Sequence, residues 1–512
     1  MPLHPVARLA DLREDRGTRV EIGETKILLL RAGEAVHAYQ AECPHAGAPL
    51  EQGAVCNGRL TCPWHKAAFA VADGSLCEPP ALDRLKRYPV EVVDGEVRVG
   101  SQPLAETTPK PVEDRRRFLI IGAGAAGTAA AAALREKGFA GELLLIDLER
   151  RPGYDRTALS KFVLSGEVPP SKVPALREET FFAEQDIQRI QGEVVQLDAA
   201  ARRASLLDGR HFDYDAALLA TGGEPQRLPL PGATLDNVFL LRSREDADAI
   251  LQAARPGTRA VIVGDSFIGL EAASALRKRG LVVSVVARQP VSFAKQFGER
   301  IGTAIGRLHE DNGVIFHRGA EVLRFDGDER VHGVLLDNGE QLPAELVLLG
   351  LGVSPVTAML DDALLDEDGA LPVDAGMRAA DGLWAAGDIA RFPYAGEPTR
   401  IEHWRLAQQH ARIAAHNMLG GDARYSNVPF FWTFHFGKRI DYLGHAERWD
   451  EVVYEGEPES FEFIALLRQG NQVAAAVGCE RQRAMALLAE RMRQPLGVEE
   501  ALRLIRANPD QP

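Results

Sequence analysis

The apolar positions change their period along the chain. Over residues 1–100 they come in short alternating runs. Ile27–Leu30 and Ala35–Tyr39 flank a Gly33–Glu34 turn, and Val90–Val93 and Val97–Val99 flank Asp94–Gly95. Alternation bounded by glycine turns predicts β-strands and hairpins. From Arg117 the runs become continuous. Phe118–Ile121 reads as a buried strand, followed by closely spaced glycines, an alanine-rich helix to about Lys137 and a second strand at Leu143–Ile146. The same unit returns as Ala260–Val263, Phe267–Arg279 and Val282–Val286. Two strand–glycine–helix–strand units predict two nucleotide sites on doubly wound parallel sheets. After about Pro429 the pattern is strand-rich again (FFWTFHFGKRIDYLGHAERWDEVVY), and it closes with a helix around Arg481–Arg493.

Composition narrows the class. The 512 residues are 46% hydrophobic and 26% charged, enough for several domains with sizeable cores. A net charge of −14 argues against nucleic-acid binding, which needs clustered basic charge. It leaves a docking patch for a protein partner open. Met1–Ala10 lacks the apolar core of a signal peptide. The longest apolar stretch, Phe118–Leu134, is shorter than the roughly 20 residues a membrane helix needs. No membrane insertion is expected. The paired arginines in Arg115–Arg117 are internal, so a targeting role is not expected of them. Five cysteines in so long a chain suit a reducing compartment, so a cytoplasmic location is expected. Ser101–Asp114 (SQPLAETTPKPVED) has the composition of an exposed linker.

The sharpest chemical signal is CPHAGAPL at Cys43–Leu50 with CPWH at Cys62–His65. The pattern is Cys-x-His, a sixteen-residue gap, then Cys-x-x-His. Cys43 and Cys62 can hold one iron as thiolates, and His45 and His65 a second through imidazole. The competing reading is zinc, which also takes two cysteines and two histidines. A zinc finger, however, pairs cysteine with cysteine and histidine with histidine. Cys56, Cys77 and Cys479 are expected to be ordinary thiols.

The first nucleotide unit carries IIGAGAAG, with Gly122, Gly124 and Gly127. The three glycines suit a tight turn, close pyrophosphate approach and helix–strand packing, with the helix N-terminus facing the phosphates. Glu149, just past the following strand, is the favoured ribose ligand and Asp147 the second candidate. The second unit, VGDSFIGLE, carries Gly264, Ser266, Phe267, Gly269 and Glu271. Ser266 stands where glycine is usual, yet it is small enough for close approach. Phe267 alone could equally be a core aromatic. At the end of the next strand Ala287 takes the place where NADH-dependent relatives put an acid, and Arg288 follows. An arginine there can bind a 2′-phosphate, so NADH and NADPH both stay open.

Taken together these motifs resemble known families over nearly the whole chain. The Cys/His pattern resembles the Rieske 2Fe–2S family. High-potential members carry a further cysteine in each loop, and here Ala48 and Trp64 occupy those positions. Lys66–Phe69 also lacks a hydroxyl that could bond a cluster sulfur. The resemblance therefore implies a low-potential, ferredoxin-like cluster. YDRTALSK at Tyr154–Lys161 resembles the Y-D-R-x-x-L-S-K segment of ferredoxin-reductase-like and apoptosis-inducing-factor-like flavoproteins, which implies FAD. There Arg156 and Lys161 would sit against the cofactor, Lys161 near flavin N5 and paired with Glu271, with Phe267 bordering the nicotinamide pocket. Ala220, Thr221 and Gly222 match the family A-T-G turn, and Gly387 with Asp388 the late motif that meets the ribityl chain. Val194 is counted with the FAD-binding residues. Trp404, in RIEHW, is expected at the flavin. His403 is not expected to be catalytic.

The resemblance to the Rieske-containing, apoptosis-inducing-factor-3-like group implies a multidomain fold. An all-β Rieske domain (1–100) and a linker (101–116) precede an α/β FAD-binding domain of the glutathione-reductase-like two-dinucleotide class. That domain is split in sequence (117–240 and 359–425) around an inserted NAD(P)-binding domain (241–358). A small α+β C-terminal domain follows (426–512). The implied activity is NAD(P)H-dependent FAD oxidoreduction, with Lys161, Glu271 and Trp404 as the catalytic group. Electrons would pass through the cluster to an oxygenase, a ferredoxin or a haem protein, and a homodimer is left open. An NAD(P)H oxidase and a redox-sensing signalling flavoprotein are the alternatives. No C-x-x-C or C-x-x-x-x-C lies near either flavin motif, so disulfide reduction is not expected. The linker composition raises one further expectation, that the Rieske tip swings between flavin and acceptor.

Overall fold

The computed structural model describes residues 2–105 and 114–508. Residues 106–113, half of the expected linker 101–116, therefore lie outside the described residues. Residues before it form three antiparallel sheets. One joins Thr18–Ile22, Thr25–Ala32, Ala35–Gln40 and Arg87–Tyr88, another His4–Arg8, Glu96–Val99 and Val90–Val93. At the Asp94–Gly95 turn both residues have positive φ (51° and 75°). That is the mirror-image turn whose twist matches paired strands. The third sheet, Ala54–Cys56, Arg59–Thr61, Ala68–Ala70 and Leu76–Glu78, carries the second Cys/His loop between two of its strands.

The first nucleotide unit builds a six-stranded sheet in the order Ile187–Gln191, Glu142–Asp147, Arg117–Ile121, Ala216–Leu219, Leu383–Ala385, Arg378–Ala380. All neighbours are parallel except the last pair. The helices Ala125–Glu136 and Trp404–Met418 cover it, with Ala129, Ala130, Ala133, Ala411 and Ala414 in one buried core. Small side chains let the two helices approach closely, which is why the alanine run has little surface character. The second unit builds a separate five-stranded parallel sheet, Val238–Phe239, Leu346–Leu349, Arg259–Val263, Val282–Ala287 and Ile315–Arg318. It lies wholly between strands of the first. Gly223–Pro225 and Val353–Pro355 pair antiparallel where the chain leaves and returns.

The C-terminal part is a five-stranded antiparallel sheet, Phe430–His435, Lys438–Gly444, Gln472–Cys479, Glu462–Gln469 and Glu451–Glu457. Two helices follow, Gln482–Arg491 and Val498–Ala507. The helix expected around Arg481–Arg493 is the first of them. The last helix buries Val498, Ala501, Leu502 and Ile505, a spacing that puts all four on one helical face.

The expectation of a swinging Rieske tip is corrected by the packing between domains. Lys66 Nζ donates to Asp441 Oδ2 at 2.8 Å, with side chains 0% and 6% exposed. Arg405, on Trp404–Met418, donates to the carbonyls of Pro79 (2.7 Å) and Lys66 (2.9 Å). Glu78 accepts from Gln409 at 2.7 Å and from Arg493 at 3.0 Å, and Arg59 pairs with Glu490 at 3.4 Å. Separating a buried ion pair leaves each charge desolvated without its partner, which is strongly unfavourable. The N-terminal domain is docked by such contacts to both of its neighbours.

Candidate functional site

The two Cys/His loops have the same backbone design. The Cys43 N–H donates to the Ala48 carbonyl at 2.9 Å, and the Cys62 N–H to that of Ala67 at 2.7 Å. Four residues after each cysteine the chain takes positive φ, at Gly47 (72°) and at Lys66 (60°). A lysine there bears a backbone cost that glycine avoids, and its buried side chain is anchored by Asp441. The neighbouring Cys62 and burial push the Cys43 thiol up, and the backbone N–H groups of His45 and Ala46 oppose this, as those of Trp64 and His65 act at Cys62. Such donors favour thiolates.

The imidazoles face each other, Nδ1 to Nδ1, at 3.1 Å. Two nitrogens bound at about 2.1 Å to one metal sit at roughly this separation. Burial holds both histidines neutral, the form that ligates metal. Among the described residues no three His, Cys, Asp or Glu side chains converge on one point. Tetrahedral zinc needs four on one point, whereas a binuclear cluster needs a thiolate pair and an imidazole pair. The donor set fits a Rieske cluster. All five cysteines are free thiols, and neither Ala48 nor Trp64 offers a disulfide.

The first glycine loop fits a dinucleotide. A Cβ on Gly122 (φ 100°) would lie 2.4 Å from the Ala220 carbonyl oxygen, and one on Gly127 only 1.8 Å from that of Gly122. A Cβ on Gly124 would meet nothing within 4 Å. Two glycines are thus demanded by the backbone, and the middle one faces open space of the kind a pyrophosphate needs. Asp147 Oδ1 accepts from the Ala123 N–H at 3.2 Å, while Glu149 is held by Arg156 at 2.5 Å. Arg156 also donates to the Arg242 carbonyl at 2.7 Å, and Arg242 lies 3.8 Å from Asp388. Gly222 (φ 72°) borders that pair, Ala220 lies against Gly122, and Thr221 donates to the Val356 carbonyl at 2.6 Å. Gly387 (φ 82°) sits where a Cβ would reach Ala407 at 3.2 Å, between the two covering helices. Val194 lies apart from this cluster, in the core with Ile121 and Ile146. Trp404 opens its helix, half-buried against the same sheet.

Lys161 lies in a single π-turn, Leu159–Val163, a local widening frequent at functional sites. It donates to Glu271 Oε2 at 3.0 Å, and Ser160 Oγ donates to the same oxygen at 2.5 Å. The second loop repeats the logic of the first. A Cβ on Gly264 would lie 2.5 Å from the Gly350 carbonyl oxygen, and one on Gly269 2.2 Å from that of Gly264. Ser266, in the middle place, caps the following helix by accepting the Gly269 N–H at 3.2 Å. A cavity of about 560 Å³ opens here, lined by Gly264, Ser266, Phe267, Arg288 and Glu321 among others. Phe267 stacks on Phe293 at 4.6 Å, joining a core aromatic cluster, and also borders the cavity. Arg288, 67% exposed, pairs with Glu321 at 3.3 Å.

Sequence reasoning expected strands after Pro429 but gave no site role to Phe430–His435, which alternates its side chains between two sites. Trp432 faces the Rieske loop and Lys161. Its ring centroid is 5.5 Å from that of His65, and Lys161 Nζ sits 4.8 Å over the same ring. Arg439 covers it at 4.7 Å and also donates to the Trp64 carbonyl. On the other face Thr433 donates to Glu271 Oε1 at 2.7 Å. The alternating apolar pattern marked a strand, but nothing local said what lay on either side of it.

Comparison with known proteins agrees with this geometry. Residues 116–411, more than half of the chain, match the pyridine nucleotide-disulphide oxidoreductase family. Residues 3–89 match the Rieske [2Fe-2S] domain and residues 430–501 the reductase C-terminal domain. The chain is 34% identical over 506 residues to apoptosis-inducing factor 3 of Mus musculus, covering 95% of this chain and 83% of that one. It is 35% identical over 373 residues to the ferredoxin–NAD(+) reductase component of the biphenyl dioxygenase system of Paraburkholderia xenovorans (strain LB400), covering 72% and 91%. Among solved structures, the covalent putidaredoxin reductase–putidaredoxin complex superposes with a TM-score of 0.73 at 27% identity, covering 77% of this chain and 99% of that one. FAD, NAD(P)H and a 2Fe–2S cluster are the cofactors these matches carry. The chain belongs to the pyridine nucleotide-disulphide oxidoreductase family, as a ferredoxin-reductase-type NAD(P)H flavoprotein with an N-terminal Rieske [2Fe-2S] domain.

Proposed function

We propose that this chain passes electrons from NAD(P)H to its own low-potential Rieske cluster and from there to a partner acceptor such as an oxygenase, a ferredoxin or a haem protein. FAD supplies the hydride acceptor and one-electron donor, and the 2Fe–2S cluster the one-electron carrier. The residues do the rest. Gly122, Gly124 and Gly127 hold the FAD pyrophosphate, with Glu149, Arg156, Ala220, Thr221, Gly222, Gly387, Asp388 and Trp404 around the remainder. Gly264, Ser266, Phe267, Gly269 and Arg288 hold the nicotinamide cofactor. Lys161 sets a cation where negative charge builds. We assign the domains as 1–100, 117–240 with 359–425, 241–358, and 426–512.

The observation that carries this reading is Trp432, one ring away from both Lys161 and the cluster ligand His65. It offers a conjugated bridge between the two cofactor sites at the docked interface. A low potential is supported by the missing disulfide and by the absence of a hydroxyl in Lys66–Phe69. The acceptor's access is supported at the exposed Ala46–Gly47 tip, since His65 is turned inward. Among the described residues no helix is long and apolar enough to cross a membrane. Five cysteines in 512 residues, two of them cluster ligands, is usage that supports work in the cytoplasm.

The test is anaerobic mixing with NADH or NADPH, following FAD by absorbance and the cluster by electron paramagnetic resonance. The cluster signal should appear after FAD bleaches. W432A should slow the second phase and leave the first unchanged. FAD that bleaches while the cluster stays oxidised in the unaltered protein would sink the reading. Fast oxygen consumption without any partner would replace it with an NAD(P)H oxidase.

A further inference from the structure

The Lys161–Glu271 pair is the near end of a longer buried chain. Glu271 Oε1 accepts from Thr433 Oγ1 at 2.7 Å. Thr433 Oγ1 meets His435 Nε2 at 2.9 Å, and His435 Nδ1 meets His309 Nε2 at 3.3 Å. The chain joins the C-terminal sheet to two helices of the second nucleotide domain. Its far end, His309 Nδ1, is buried with no hydrogen-bond partner among the described residues. Phe316 and Phe436, both half-buried, flank that ring at 6.1 and 4.9 Å.

The chain has one direction. A hydroxyl carries a single proton, and Thr433 gives its proton to Glu271. Thr433 must then accept from His435, which therefore holds its proton on Nε2 and accepts at Nδ1. His309 in turn donates from Nε2 and leaves Nδ1 bare. Burial pushes His435 down to about 3 and His309 well below its ordinary value, so both rings are neutral. The charges that face them are Lys161 toward His435 and Arg318 toward His309.

We propose that this chain is a reversible proton wire, which brings one proton from water at His309 Nδ1 to Glu271 when negative charge builds at the FAD site and returns it when that charge leaves. The inward shift is concerted. A water admitted to the buried His309 Nδ1 gives it a proton, His309 Nε2 gives its own to His435 Nδ1, His435 Nε2 to Thr433 Oγ1, and Thr433 to Glu271. Each group gains one proton and loses one, except Glu271, which ends neutral. Neither imidazole is ever charged, and the shifted tautomers are already set for the return. The effect is electrostatic. In the resting pair Glu271 neutralises Lys161, and a protonated Glu271 releases the ammonium's full charge toward the cofactor. Hydride transfer from NAD(P)H brings no free proton with it, so the wire's proton comes wholly from water. This inference rests on the proposed FAD site beside Lys161.

The test counts protons. The full holoprotein is reduced anaerobically with NADH in weak buffer containing a pH indicator, with cluster reduction read by electron paramagnetic resonance in the same run. The unaltered protein should take up one more proton per FAD than T433V, in which the hydroxyl link is cut. H309Q keeps the Thr433–Glu271 bond and should match T433V. Uptake lost in T433V but kept in H309Q would reduce Thr433 to a positioning residue and overturn the wire, as would equal uptake in all three proteins. Selective ¹⁵N-histidine spectra of the oxidised holoprotein test the geometry apart from turnover. Both rings should carry the proton on Nε2, and Nδ1–H on either would overturn the assignment. A silent cluster with normal proton uptake would sink the electron route and leave the wire standing.

Discussion

Glu321 and Arg288 meet at the rim of the cavity proposed for the nicotinamide cofactor, 3.3 Å apart and both more than half exposed. A 2′-phosphate recruiting Arg288 must break this pair and then face a carboxylate, whereas a ribose diol can use Glu321 as an acceptor. E321Q should therefore shift preference toward NADPH. An exposed pair is worth about 1 kcal/mol or less, so the change should be roughly five-fold at most. The ratio of kcat/KM for the two nucleotides measures it. Arg288 was legible in the sequence because it follows a strand at a known offset from a glycine loop. Glu321 was not, since it comes from a different part of the domain and only the fold brings it to the rim.

The six-residue loop Cys62–Ala67 shows what an element demands of one residue. Lys66 accepts a left-handed backbone where its counterpart is Gly47, and buries an ammonium whose main partner, Asp441, is 375 residues away. K66M should leave Asp441 with Arg439 as its remaining cationic partner, at 2.8 Å on the other oxygen, and so cost about 1–3 kcal/mol for the oxygen left without Lys66. Denaturant unfolding and proteolysis at the domain junction would read that loss. K66M combined with D441L should recover part of it, because the two apolar groups need no partner while Arg439 loses the carboxylate it shared with Lys66. Equal stability for K66M and the unaltered protein would mean that this pair does not hold the docked domain. The loop's ligand spacing was readable from the sequence, while its role as the docking tooth was not. A lysine after a histidine looks like a solvated charge until something covers it.

At the scale of the whole molecule, burial of histidine sets an acid limit. His403, His410 and His435 are pushed down to about 3, in each case by desolvation first. Unfolded, each would bind a proton near its ordinary value of about 6.5. Between those values the unfolded chain binds more protons than the folded one, so stability rises with pH across that window and is lost as pH falls through it. Each histidine then contributes a loss of up to about 1.4 kcal/mol per pH unit. Urea unfolding at pH 7 and pH 5 should show markedly lower stability at the acid value, and a flat profile would contradict the buried neutral rings.

What the sequence determined by itself was chemistry written in short spacings. Two Cys/His loops, two glycine turns at the ends of buried strands and the Arg156–Lys161 segment each lie within a few residues, where backbone geometry alone limits what can form. Together with the family resemblance these motifs carry, they were enough for the cofactors and the fold class. Only the tertiary structure decided how the parts meet. The docking of the Rieske domain through Lys66, Glu78 and Arg405, the place of Trp432 between Lys161 and His65, and the line from Glu271 through Thr433 and His435 to His309 join residues up to hundreds of positions apart. The physical reason is that a buried polar side chain is defined by its partner, and across such separations no local periodicity records which partner the fold will bring.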